Sequence, residues 1–333
     1  MILSFFSLLL ALALDYRFGE PKKYHPLVGF GRYVDFLQQQ LNRPSGSSVS
    51  SRTQFINGAL ACLLAIIPIV GAVIVIQHSL PAFINIFIDA GLLYLCIGWT
   101  SLQQHAKAIY DALNRGLNPG VDSNQLDLAR TKLSWIVSRE TDQLDSTEVA
   151  QASVESVLEN SSDALFATLF WFMVAGVEGA ILHRLVNTLD AMWGYKSKQF
   201  LYFGRFSAYF DDLLNYVPAR LTAYGFVFCA SSVEQGKKAL MCWRTQAKAC
   251  SSPNGGPVMT AGAGALNVRL SEGAYYPARG QQESDQEKSE WQKKPPMGCG
   301  EPAQAQSIQT ALELVQRTLL FWLFSIGGLV FVL

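Results

Sequence analysis

The chain alternates long apolar runs with polar, turn-rich segments, and the runs have helical rather than strand lengths. Phe55 to Ile76 carries no charged residue and supplies the ~20 positions a helix needs to cross a hydrocarbon core. Its Pro68 is tolerable where neighbouring helices satisfy the freed carbonyl. Ala82 to Trp99 is a second spanning stretch, interrupted by Asp89, and the polar link Gln77–His78–Ser79 makes the two a helical hairpin. Shorter apolar runs occupy the ends, Met1–Leu14 and Thr318–Leu333. At ~1.5 Å per residue neither alone covers ~30 Å, so each needs polar flanks, a thinned bilayer or a neighbour. Ala11-Leu12-Ala13 resembles a signal-cleavage site, but no basic segment precedes it, so the first run is expected to be a retained anchor.

Two middle runs are less simple. Ala164–Leu182 contains Glu178, and Leu213–Ala230 contains Pro218 and Arg220. Basic residues flank the first run on both sides and do not orient it. At least one of the two is expected to be re-entrant or buried in protein, where polar backbone at membrane depth is permitted. The pattern therefore predicts an all-α, polytopic integral membrane helical bundle, with re-entrant or peripheral helices carrying the polar motifs. It reads as one domain over residues 1–333, with a flexible linker at 44–51 (PSGSSVSS) and an exposed polar insertion at 281–301.

Composition agrees. Half of the 333 residues are hydrophobic and 16% are charged, against about 25% in an average soluble domain. The formal net charge of zero excludes a polyanion binder, so no nucleic-acid partner is expected. Six cysteines without a CxxC pair give no disulfide framework or zinc site.

The polar residues need another explanation. Leu133 to Asp163 reads as helix, with Ser146 and Thr147 suited to a cap and Glu148 to a first turn. Glu155, Glu159 and Asp163 recur at i, i+4 and i+8, which puts three carboxylates on one face. Like charges at that spacing repel, and a magnesium ion or a partner arginine would relieve them. The competing reading is a solvated acidic face; the position just before an apolar run favours a role. Asn187 and Asp190 form an i, i+3 pair with His183 one turn earlier, and Asp211, Asp212 and Asn215 repeat the theme. Such oxygens are hard ligands suited to Mg²⁺. Arg184, Arg205 and Arg220 are equally suited to pairing with those acids or to gripping phosphate. Ser252-Pro253-Asn254-Gly255-Gly256-Pro257 is a turn cluster, and the Gly/Ala-rich stretch after it reads either as a phosphate nest or as an ordinary loop. No Walker A loop is present.

Together these motifs resemble the membrane-bound adenosylcobinamide-phosphate synthases of cobalamin biosynthesis. The matching blocks, in family order, are Gly19–Pro26 (GEP…HP), Ser138–Asp145 (SRETDQLD), Glu155–Asp163 (ESVLENSSD), Arg184–Ser197 (RLVNTLDAMWGYKS), Tyr202–Ala223, Ser252–Gly256 (SPNGG) and Ala265–Leu270 (ALNVRL). Glu20 stands where the family usually has Asp, and Pro257-Val258 lacks an acid that often follows the SPN turn. The resemblance implies an ATP-dependent ligase that joins an aminopropanol phosphate, or a related amino alcohol, to adenosylcobyric acid through an amide. On it, Glu155, Glu159, Asp163, Asp190 and Asp212 are expected to ligate Mg²⁺. Arg205, Arg220, Ser252, Asn254 and Asn187 are expected to hold ATP. Arg139 is expected to neutralise phosphate or carboxylate, and Asp142 or Asp145 to act as general base. It also implies a multi-pass protein of the cell inner membrane with a cytoplasmic active face, lipid around it, and possible contact with other cobalamin-assembly membrane enzymes. The rival classes are a polytopic transporter, with Asp89 and Glu178 marking an ion path, and a non-catalytic membrane relative.

Overall fold

The computed structural model describes residues 2–21, 25–42, 50–116, 124–194, 197, 199–276 and 290–332. The 44–51 linker, apart from Ser50 and Ser51, and the first part of the 281–301 insertion lie outside them. Among the described residues the chain forms helices α1 (Ile2–Phe18), α2 (Pro26–Leu41), α3 (Ser51–Ser79), α4 (Ala82–Cys96), α5 (Trp99–Gly116) and α6 (Asn124–Leu133). They continue as α7 (Ser146–Ser161), α8 (Thr168–Trp193), α9 (Arg205–Phe228), α10 (Val233–Gln246), α11 (Gly255–Leu266) and α12 (Ala305–Val332). Strand content is slight: β1 (Val268–Arg269) pairs in parallel with β4 (Glu301–Pro302), and β2 (Gly273–Tyr276) pairs antiparallel with β3 (Glu290–Lys293). Four stretches are long and apolar enough to cross a membrane: Ser51–Ser79, Ala82–Arg115, Ser146–Trp193 and Ala305–Val330. The protein is an all-α membrane protein.

The helices sort into two compact units. In the first, residues 1–99 and 163–215, α4 packs on α1 and α8, and α3 packs on α2 and α8. Small buried residues (Ala61 and Ala65 on α3, Ala90 on α4, Ala180 on α8) let backbones approach closely, as membrane helices require. Outward-facing Ile67, Val75 and Phe87 are exposed, as befits a lipid-facing surface. The α3–α4 hairpin forms as expected, and Gln77 Nε2 donates to Asp89 Oδ1 at 2.5 Å. Asp89 is thus tied inside the hairpin.

The Ala164–Leu182 run does not continue as one straight helix. Ala175 (φ −134°, ψ 23°) and Gly176 (φ 68°, ψ −165°) break α8, and the second of these conformations is open essentially to glycine alone. A Cβ on Gly179 would lie 2.6 Å from the Trp171 carbonyl oxygen, although eight residues of straight helix would separate them by ~12 Å. The Trp171 indole N–H donates to Leu214 O, while His183 hydrogen-bonds Asn215, so positions 171 and 183 reach neighbouring residues of one helix. The chain turns back on itself at Gly176, so this run is a helical hairpin rather than one straight helix. Leu213–Ala230, most of which lies in α9, is not among the spanning stretches.

In the second unit, residues 100–162 and 216–333, α11 is enclosed by α7, α10 and α12. The Gly/Ala stretch is therefore neither loop nor nest but a buried helix. Its glycines serve close packing: a Cβ on Gly262 would meet Leu158 Cδ2 at 2.5 Å, and one on Gly264 would meet the Ala239 backbone at 2.7 Å. Two further expectations need correction. No helix spans Leu133–Asp163: residues 134–145 are turns, and α7 starts at Ser146. Its cap is Asp145, whose Oδ1 accepts from Glu148 N while Glu148 Oε2 accepts from Asp145 N, a capping box. The C-terminal helix is longer than its apolar run because the amphipathic stretch from Ala305 joins it.

Candidate functional site

In the second unit a cavity of about 390 Å³ opens between the turn before α7, α7 itself, the Ser252 turn and the segment after β3. Glu155 lines it, buried, and both of its carboxylate oxygens accept hydrogen bonds. Its Oε2 accepts from Arg139 Nη2 and from Lys294 Nζ at 2.6 Å, and its Oε1 accepts from Ser271 N at 2.9 Å. A buried carboxylate costs several kcal/mol unless it is paired and hydrogen-bonded, and two cations with a backbone N–H meet that condition. Glu155 in turn fixes the two cations at the cavity wall. Arg139 also lines a second cavity of about 350 Å³, with Arg269 and Trp291.

Glu159, one turn along α7, lines the same cavity, and its carboxylate makes no hydrogen bond among the described residues, although its carbonyl accepts from Ser162 N. It rests over the start of α11: a Cβ on Gly255 would approach its Oε1 to 2.7 Å. A helix N-terminus favours a carboxylate there. The Ser252 hydroxyl accepts from Gly255 N at 2.9 Å, closing the turn that begins α11. Arg220 holds this turn, donating to Asn254 Oδ1 at 2.7 Å and Pro253 O at 2.9 Å while its guanidinium lies 3.6 Å from the Tyr216 ring centroid. Burial pushes the lining Cys250 thiol up, which keeps it protonated and unsuited to nucleophilic attack.

The other expected residues fall in the first unit. Asp211 accepts from Asn187 Nδ2 at 3.3 Å and from Asn215 Nδ2 at 3.0 Å, and Asn215 Oδ1 meets His183 Nε2 at 2.9 Å. Burial, with Asp212 adding to it and the two amide donors opposing, raises Asp211 to about 6. Asp190 is close enough to Asp211 and Asp212 to feel both charges. Arg205 is exposed and lies over the Tyr209 ring. Asp163 stands in a π-helical turn, Ser162–Ala167.

The structure thus brings together Arg139, Glu155, Glu159 and Ser252 in one cavity, and Arg220 with Asn254 beside it. Asp142 and Asp145 are exposed and line neither cavity, and Asp145 is committed to the cap. Of the five expected magnesium ligands, Glu155 and Glu159 lie in the second unit and Asp163, Asp190 and Asp212 in the first; among the described residues, no three His, Cys, Asp or Glu side chains are placed to hold a metal ion. The acid stripe is relieved at Glu155 by protein cations instead. Lys294 was not visible as a site residue, because it falls in the stretch that reads as an exposed insertion; the run Lys293-Lys294-Pro295-Pro296 was its one signal.

An all-α polytopic membrane protein with a buried acid–base constellation is the class this geometry defines. Residues 8–315 match the family model described as CobD/Cbib protein, and the chain belongs to that family. It is 44% identical to "Cobalamin biosynthesis protein CobD" of Chromobacterium violaceum, over 94% of this chain and 92% of that one. It is also 44% identical to the protein of that name from Stutzerimonas stutzeri, over 96% and 95%. A "Probable cobalamin biosynthesis protein CobD" of Methanococcus aeolicus is 34% identical over 83% and 87%. No solved structure matches the chain.

Proposed function

We propose that the chain is an ATP-dependent amide-forming ligase of cobalamin assembly, joining an amino alcohol phosphate to adenosylcobyric acid. The observation that carries this reading is the Arg139–Glu155–Lys294 constellation in the 390 Å³ cavity of a chain with this family membership.

Amide formation from a carboxylate and an amine needs an activated acid. The corrinoid carboxylate attacks the terminal phosphorus of ATP, the bond to ADP breaks, and an acyl phosphate forms. The amine then attacks the acyl carbon, inorganic phosphate leaves with the C–O bonding pair, and the amine nitrogen gives up a proton. Arg139 and Lys294, pre-positioned by Glu155, stabilise negative charge that builds on the transferred phosphoryl group and on the leaving phosphate. Glu159, whose carboxylate no protein donor engages among the described residues, is placed to take the amine's proton. Arg220 positions the Ser252–Gly255 turn rather than touching substrate. The cavity suits phosphates and an acyl arm, so the corrin ring stays outside.

No three acids among the described residues are placed as a protein-built magnesium cage, so magnesium enters this reading as the companion of the nucleotide. ATP places the active face on the cytoplasmic side of an inner membrane, and the hairpin at Gly176 supports that reading, because it returns the chain to the side from which it entered. The test is incubation of the purified protein with adenosylcobyric acid, aminopropanol phosphate and Mg²⁺–ATP. A product heavier than the acid by the amine less one water supports the ligase; ATP-driven uptake in vesicles without that product supports a transporter.

A further inference from the structure

A second cavity, partly open, lies in the first unit and uses no residue of the ligation site. Helices α2, α3, α4 and α8 surround a cavity of about 160 Å³. Phe30, Ile69, Val73, Leu92 and Ile181 make its walls apolar. A space of this size with apolar walls suits a hydrocarbon segment rather than ordered water. Arg184 also lines the cavity, and its Nε is buried without a hydrogen-bond acceptor among the described residues. A buried donor left unmet forfeits its hydration, and native folds seldom leave one so. The neighbouring His25 does not change this. Its Nδ1 accepts from Leu27 N at 3.2 Å, and burial, with Arg184 alongside and Glu20 opposing, lowers its pKa, so the ring is neutral.

An apolar cavity beside a half-buried arginine whose buried Nε lacks an acceptor among the described residues describes one kind of ligand. We propose that this cavity binds an anionic amphiphile, its hydrocarbon among α2, α3, α4 and α8 and an acidic oxygen accepting from Arg184, and that the bilayer supplies it as an acidic phospholipid. Placement favours the bilayer over a soluble source. α3 is a candidate spanning helix, and its exposed Ile67 and Val75 face the same acyl chains. Arg184 lies eight residues beyond the Gly176 turn, ~12 Å back along the arm toward the membrane surface, where headgroup oxygens are found.

Native mass spectrometry of the full chain in neutral detergent, with thermal unfolding alongside, tests this. Phosphatidylglycerol is expected to give a retained one-to-one adduct about tenfold tighter than phosphatidylcholine. R184Q is expected to abolish that preference and R184K to keep it, while V73F, which fills the void, abolishes the adduct. Should R184Q not fold, R184K and V73F decide. Equal binding of the two lipids, or an unchanged adduct in V73F, overturns the site. Stabilisation by hexyl phosphate without a phosphatidylglycerol adduct overturns the bilayer source, and equal stabilisation by inorganic phosphate overturns the hydrocarbon component.

Discussion

Lys294 and Glu155 are 139 positions apart in the chain and meet at 2.6 Å, with Glu155 buried and Arg139 on the same oxygen. Removing one partner of a buried pair strands the rest, so E155Q, which leaves two cations facing a neutral amide, is expected to cost about 3–5 kcal/mol. K294M leaves Arg139 and Ser271 N on Glu155 and is expected to cost less stability while lowering ligation at least tenfold. Chemical denaturation and initial rates on the same preparations check both. A K294M protein of unchanged rate removes Lys294 from the chemistry.

Arg220 makes a two-pronged grip on Asn254 and Pro253 from a stacked position on Tyr216. R220A is expected to lower stability by about 1.5–3 kcal/mol and to raise the nucleotide KM more than it lowers kcat. Lysine cannot reproduce the planar fork, so R220K is expected to recover little of either. Full recovery in R220K contradicts the positioning role.

Asp211 titrates at about 6 rather than its usual 3.8. The folded state therefore holds a proton that the unfolded state releases. The contribution is fully present below pH about 4 and is lost as pH rises through about 6, so stability falls across that window. D211N does not titrate and is expected to flatten that slope, which unfolding midpoints between pH 4 and 7 will show. An equal slope in the variant places the titration elsewhere.

Gly176 makes the hairpin turn, and a Cβ there would approach Glu178 Oε2 to 2.7 Å at a φ of +68°. G176A is expected to cost about 1–3 kcal/mol. In a background without the six native cysteines, D163C and A191C on the two sides of the turn are expected to react with an impermeant thiol reagent from the same face. Labelling from opposite faces contradicts the re-entrant path.

Much of this architecture is written in local pattern. The charge-free run at Phe55–Ile76 announces α3, and Glu178 inside Ala164–Leu182 signals a run that does not simply cross. Glu155 and Glu159 are legible as a carboxylate stripe just before an apolar run, whereas Arg139 enters through the family resemblance and the SPN turn reads equally as an ordinary loop. What pattern could not supply was pairing at long range. Lys294 reaches Glu155 only because β3 pairs with β2 and brings the following residue back over α7, and such register is not readable from a charged, proline-rich segment. The enclosed α11 was missed for a related reason, since glycine and alanine indicate a loop until the helices they pack against are known. Asp142 and Asp145 have the chemistry of a base but line neither cavity, and the capping box claims Asp145.

The most direct measurement follows the oxygen atoms of the activated carboxylate. With adenosylcobyric acid carrying ¹⁸O in its reacting carboxylate, attack on ATP passes one labelled oxygen to phosphorus, and collapse of the acyl phosphate releases it. Wild-type protein is expected to yield inorganic phosphate with one ¹⁸O per amide formed, and E155Q to yield neither. Amide formation with unlabelled phosphate, or ATP hydrolysis without amide, contradicts carboxylate activation at this cavity.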